Sequence, residues 1–229
     1  MKQKRLSITQ SLLYAFLWIL PLSLLTTLMS PFLSWAQEET PIFNKGIEAY
    51  NEGNYQAAIE EFNQVIAENE ELARAYYLRG VSYLQLGELE KAIADYTQVI
   101  ELNPENGEAY SDRGIAHTQL GNYRQAIADY DRALELNPEQ ARIYLNRGIA
   151  HTEQENLERA IADYTQAIKL DSTLADAYAN RGVVRAMEGD QESAIADLET
   201  AAEIYQEQGK ESLYQEVQKR IQRIESRMD

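Results

Sequence analysis

The hexapeptide Arg-Gly-Ile-Ala-His-Thr occurs twice, at 113–118 and at 147–152, an offset of 34 residues. The same offset runs through most of the chain. Segments 73–106, 107–140 and 141–174 align without a gap, 175–208 is a fourth copy, and 39–72 is a degenerate first one. A period of this length constrains a fold more tightly than any local propensity. Each unit must be one supersecondary element that cannot bury its apolar face alone and is stabilised by stacking on its neighbours.

Within a unit, apolar and aromatic residues fall three and four apart. Tyr76, Gly80 and Tyr83 do so in one half, and Ala92, Ile93, Tyr96, Val99 and Ile100 in the other, which predicts two helices. Gly53, Gly87, Gly121 and Gly189 follow the first helix, where the chain must turn through a left-handed conformation. Asn103-Pro104 and Asn137-Pro138 close the second, because a residue before proline is pushed out of the helical region. The fourth unit has Glu155 in the glycine's place and is expected to have the weakest turn, strained by about 1 kcal/mol. The fold class is all-α, with five antiparallel helix pairs over 39–208 and no strands.

With aromatic, small and alanine positions set at these intervals, the unit resembles the tetratricopeptide repeat. That family's pattern is filled by Tyr76, Gly80, Tyr83, Ala92, Tyr96 and Pro104 in the second unit. Tyr110, Gly114, Ala126, Tyr130, Ala133 and Pro138 fill it in the third, and Tyr144, Gly148, Ala160, Tyr164 and Ala167 in the fourth. The resemblance implies a right-handed superhelical solenoid whose first helices line a concave groove. It implies a non-enzymatic scaffold or adaptor that binds an unidentified protein or extended peptide there. Positions two, five, nine and twelve of each unit are the groove-facing ones in the family. Phe43, Ile47 and Tyr50, then Arg74, Tyr77, Val81 and Leu84, make the aromatic and apolar group expected to hold the partner. The chaperone-adaptor members hold a terminal carboxylate with Lys at five and Asn at nine. Position nine here is always Ile or Val, so that mode is not supported, although Asn44, Asn146 and Asn180 at six can bond a peptide backbone.

The only two histidines, His117 and His151, stand at the eleventh position, where the second unit has Tyr83. That is a packing position, so each is expected to be a structural imidazole with one or two hydrogen bonds. The alternative is a pH-sensitive seam between repeats. A second recurrence pairs Arg79, Arg113, Arg147 and Arg181, at the seventh position, with Asp95, Asp129, Asp163 and Asp197, at the twenty-third. The first unit keeps the charge signs with Lys45 and Glu61. Arginine and aspartate that come and go together predict contacts between first and second helices, which would fix register. The alternative is a line of arginines offered to an anionic partner.

No catalytic constellation, metal-ligand spacing or cofactor loop is present, so the chain reads as no enzyme, with no metal and no cofactor. The formal charge is −16, with 21 basic and 37 acidic residues. Lys2, Lys4 and Arg5 precede an apolar run from Leu12 to Leu28, and Ser34 and Ala36 supply small residues three and one before a cut. Residues 1–36 are therefore expected to be an export signal, and the protein periplasmic, lumenal or secreted. The alternative is a membrane anchor over 12–33, the one way the chain would touch a membrane. Loss of the signal would leave 18 − 37 = −19. Such a charge repels phosphate backbones and excludes nucleic acid as a partner. Residues 209–229 carry Leu213, Val217, Ile221, Ile224 and Met228 on one stripe, expected to form a capping helix or, alternatively, a short coiled coil. A monomer is expected. The alternative is an assembly scaffold that associates with itself through its terminal faces.

Overall fold

The computed structural model describes residues 40–227. The proposed export segment and Met228 lie outside them. Among the described residues there are eleven helices and no strand. They pair in order: α1 (Pro41–Asn51) with α2 (Tyr55–Glu68), α3 (Ala73–Gln85) with α4 (Leu89–Leu102), and α5 (Gly107–Gln119) with α6 (Tyr123–Leu136). Then come α7 (Ala141–Glu153) with α8 (Leu157–Leu170), α9 (Ala175–Glu188) with α10 (Gln191–Glu207), and a last helix α11 (Glu211–Glu225). Packing is almost wholly between sequence neighbours, as a one-dimensional stack requires.

Four of the helices, α1, α2, α5 and α10, begin at a side chain that caps a free backbone amide. Thr40 Oγ1 accepts from the Phe43 amide at 3.1 Å, with Pro41 opening α1. Between pairs, Asn69, Asn103, Asn137 and Asp171 each accept from the amide two residues on, at 2.9–3.2 Å. Tyr205 takes that place in the fifth repeat, where no such turn forms, and α10 runs to 17 residues against 14 in α8. Within pairs, Gly53, Gly87, Gly121 and Gly189 have φ between +74° and +88°, and Glu155 is forced to +59°. Glutamate there meets the Cβ clash that glycine escapes.

The core follows from one small-to-large fit. A Cβ on Gly148 would lie 2.6 Å from the Tyr164 ring, and one on Gly114 would lie 2.6 Å from Tyr130. The first helix therefore presses its backbone onto an aromatic of the second, and a methyl group there would overpack by about 1–3 kcal/mol. Tyr96, Tyr130 and Tyr164 are all fully buried. On the last pair, Val217 and Ile221 of α11 are buried against Ala201, Ala202 and Tyr205, with Leu213 and Ile224 flanking them. No helix among the described residues is long and apolar enough to cross a membrane.

Candidate binding groove

Four recurring staples join the first helix to the second within a pair and reach back to the pair before. Arg147 donates from Nε and Nη2 to both oxygens of Asp163, at 2.9 and 2.6 Å. Its Nη1 reaches back to Asp131 of the preceding repeat at 2.6 Å, and its guanidinium lies 5.4 Å from the Tyr144 ring centre. Arg79, Arg113 and Arg181 repeat this with Asp95, Asp129 and Asp197, and reach back to Asn63, Thr97 and Thr165. The four aspartates are buried and the arginines mostly covered. These arginines are thus consumed inside the stack. Burial pushes the Asp95 carboxyl up against the pull of Arg79, while its hydrogen bonds hold Arg79 charged. With contacts of 2.6 and 2.8 Å the pair stays ionised at neutral pH. Lys45 and Glu61 form no such pair among the described residues.

The histidines pack beside these staples but are not hydrogen-bonded as the sequence suggested. Nε2 of His117 stands 4.0 Å from Asp129, and that of His151 stands 3.9 Å from Asp163. Nδ1 of each is buried without a partner. The aspartate oxygens already hold arginine. Burial lowers both imidazole pKa values, against the pull of those aspartates. In the fifth repeat Arg185 has the same place and does bond Asp197, at 2.8 Å.

The groove set needs correction. Phe43 is only 1% exposed. It meets Phe62 edge-on at 5.8 Å and is covered by Arg74 at 5.2 Å, so it is floor and not contact surface. Ile47, Tyr50, Tyr77, Val81 and Leu84 are half-buried between neighbouring first helices, and Arg74 alone of the group is exposed. Among the described residues, open space lies further along the stack. A cavity of about 570 Å³ spans α3, α5 and α7, lined among others by Tyr77, Glu108, Asp112, Ile115, Arg142 and Asn146. Of the expected group, only Tyr77 borders it.

Asp112 escaped the sequence reading. It holds the sixth position of its unit, where Asn44, Asn146 and Asn180 stand in others, and its acid is the one departure in charge. Tyr77 Oη donates to it at 2.8 Å. Burial raises its carboxyl pKa, the Tyr77 bond works against that, and Glu108 adds to the rise. Close by is a second anomaly. Tyr130 and Tyr164 bond Thr118 and Thr152 at 3.1 and 2.9 Å, and each threonine also donates to a backbone carbonyl. Repeat two has Leu84 in the threonine's place, and the buried Tyr96 hydroxyl is left without a partner. No group of His, Asp and Glu suited to a metal comes together among the described residues.

Stacked helix pairs around a trough of side chains define a repeat solenoid, a surface for contact. The tetratricopeptide repeat family matches residues 73–106, 111–175 and 153–208, and the chain belongs to it. Among solved structures it is similar to MamA, at 22% identity and a TM-score of 0.69 over 72% of this chain and 96% of that one. A MamA structure from Desulfovibrio magneticus RS-1 gives 20% and 0.70, over 73% and 94%. YrrB, described as a TPR protein with an unusual peptide-binding site, gives 21% and 0.68, over 85% and 97%. At these identities the likeness is one of fold. A comparison with curated proteins finds no match.

Proposed function

We propose that the chain is a non-enzymatic scaffold that holds an extended segment of a partner protein in its concave trough, across α3, α5 and α7. The observation that carries this is the cavity of about 570 Å³, open between the first helices of three successive repeats. Its apolar floor at Ile115 and Leu145 can bury side chains, and Ser111 and Asn146 can bond a peptide backbone. Tyr77 belongs to this surface. Ile47, Tyr50, Arg74, Val81 and Leu84 flank it on the side of the first repeats. The staples and the two histidines keep a structural role, holding the curvature that shapes the trough. A photocrosslinking residue at Ser111 should capture the partner, while one at the exposed Glu90 of α4 should not. Equal capture at both would refute groove binding.

The protein works, on this proposal, outside the cytoplasm as a monomer, with 1–36 as an export signal or 12–33 as an anchor. Trp18 and Trp35, the only tryptophans, both precede the proposed cut. Protein from its native compartment should then emit as tyrosine alone, whereas tryptophan emission would show that the segment is retained.

A further inference from the structure

We infer that the trough between repeats two and three recognises a basic side chain of an extended peptide, lysine or arginine, with Asp112 as counter-charge and Tyr77 beside it. This rests on the groove reading above and narrows it to a class of partner.

The molecule supplies its own control. Asp95, Asp129, Asp163 and Asp197 are buried carboxylates, and each is gripped by an arginine through two hydrogen bonds. Asp112 is the half-buried carboxylate that faces the trough, and no Lys or Arg pairs with it among the described residues. Its one hydrogen bond comes from a neutral phenol, which occupies Oδ2 and leaves Oδ1 open. A carboxylate partly withdrawn from water and lacking a cation is a costly arrangement that an incoming cation would relieve. Glu108, one turn earlier on α5 and lining the same cavity, deepens the negative field.

The Tyr96 hydroxyl feels the same negative field. It is fully buried, and after burial itself its ionisation is opposed first by Asp112, then by Tyr77 and Tyr50. Tyr77 bonds the carboxylate, and the Tyr96 ring packs behind Tyr77 with centres 5.9 Å apart. An ammonium or guanidinium carries several donors and no acceptor, which matches the open Oδ1 of Asp112 at the cavity wall. The Tyr77 ring borders the cavity and offers a face suited to a cation, with the buried Tyr96 ring 5.9 Å behind it. Arg142 stands on the α7 wall of the same cavity but forms no ion pair with Asp112. At long range the acidic chain attracts basic partners.

The test is selection from a random dodecapeptide phage library at 0.15 M salt, where distant surface charges are screened. The full chain and its Asp112→Asn variant are the baits. Asparagine keeps an acceptor for Tyr77, so the fold should survive. The wild-type chain should enrich peptides with Lys or Arg fixed at one position, and the variant should lose that position's preference. A synthetic selected peptide should bind Asp112→Asn at least tenfold more weakly. Replacing its basic residue by norleucine should cost wild type the same factor and the variant nothing more. Asp112→Ser should weaken binding of the same peptide by a similar factor, and this arm decides the matter should Asp112→Asn fail to fold. Enriched peptides without a fixed basic residue, or losses that simply add, overturn the inference. Ile115→Arg, which fills the trough, tells the two claims apart. If selected peptides bind that variant normally, the groove reading itself fails. Absence of any enrichment overturns both.

Discussion

Asp163→Asn is the sharpest probe of what holds the repeats in register. Asp163 is 5% exposed and takes both inner donors of Arg147, whose side chain is 19% exposed. Removing one partner of a fully buried pair costs about 3–5 kcal/mol, because the other charge stays behind. Arg147 keeps Asp131, which is 52% exposed, and some access to water, so the loss should fall to about 2–3 kcal/mol. For a folded array of this size about 1 kcal/mol moves Tm by 2–4 °C, giving a drop of about 5–10 °C by far-ultraviolet circular dichroism. The double variant Arg147→Met, Asp163→Leu removes both charges and should recover most of that loss. A loss below about 1 kcal/mol for the single variant, or a coupling within about 0.5 kcal/mol of zero, would show that the pair adds no more than a surface ion pair.

Three other outcomes are expected. Glu155→Gly should raise stability by about 0.5–1 kcal/mol, since it relieves the positive φ but gives the unfolded chain more freedom; a lower Tm would place the strain elsewhere. Tyr96→Phe should stabilise by about 1 kcal/mol by removing an unpartnered hydroxyl, whereas Tyr130→Phe should destabilise by about as much in the same urea titrations. Burial lowers the pKa of His117 and His151, so the folded state resists their protonation. Their contribution is complete above the ordinary imidazole value of about 6.5 and is lost as pH falls through the lowered folded value. Relative to wild type, the double variant His117→Tyr, His151→Tyr should gain Tm between pH 6.5 and 5, and parallel pH profiles would refute this.

The fold was legible because its determinants are local and recur. Gly148 under Tyr164 and Gly121 in a left-handed turn can each be recognised from a 34-residue period alone. Side-chain surroundings were less legible. A rule for which positions face the groove takes no account of side-chain size, and a phenylalanine at position five sinks onto Phe62, whereas Ser111 at the same position stays beside the cavity. The recurrence of arginine with aspartate is plain in the sequence, but the third bond to the preceding repeat joins residues 16 apart in another unit's frame. Asp112 was hidden for a different reason. Its setting is made by Tyr77 of the preceding repeat, 35 residues away in sequence, and only folding brings the two together.

The backward bond of each arginine has a mechanical consequence. The junctions along the stack are Asn63–Arg79, Thr97–Arg113, Asp131–Arg147 and Thr165–Arg181, and only the third is ionic. Stretched from its two ends, the array is a series of links of unequal strength. Each pair torn free releases 34 residues, about 110–120 Å of extended chain. Force applied along the axis should open the outer pairs first and leave the third and fourth joined longest. The protein would lengthen in discrete steps while its middle held.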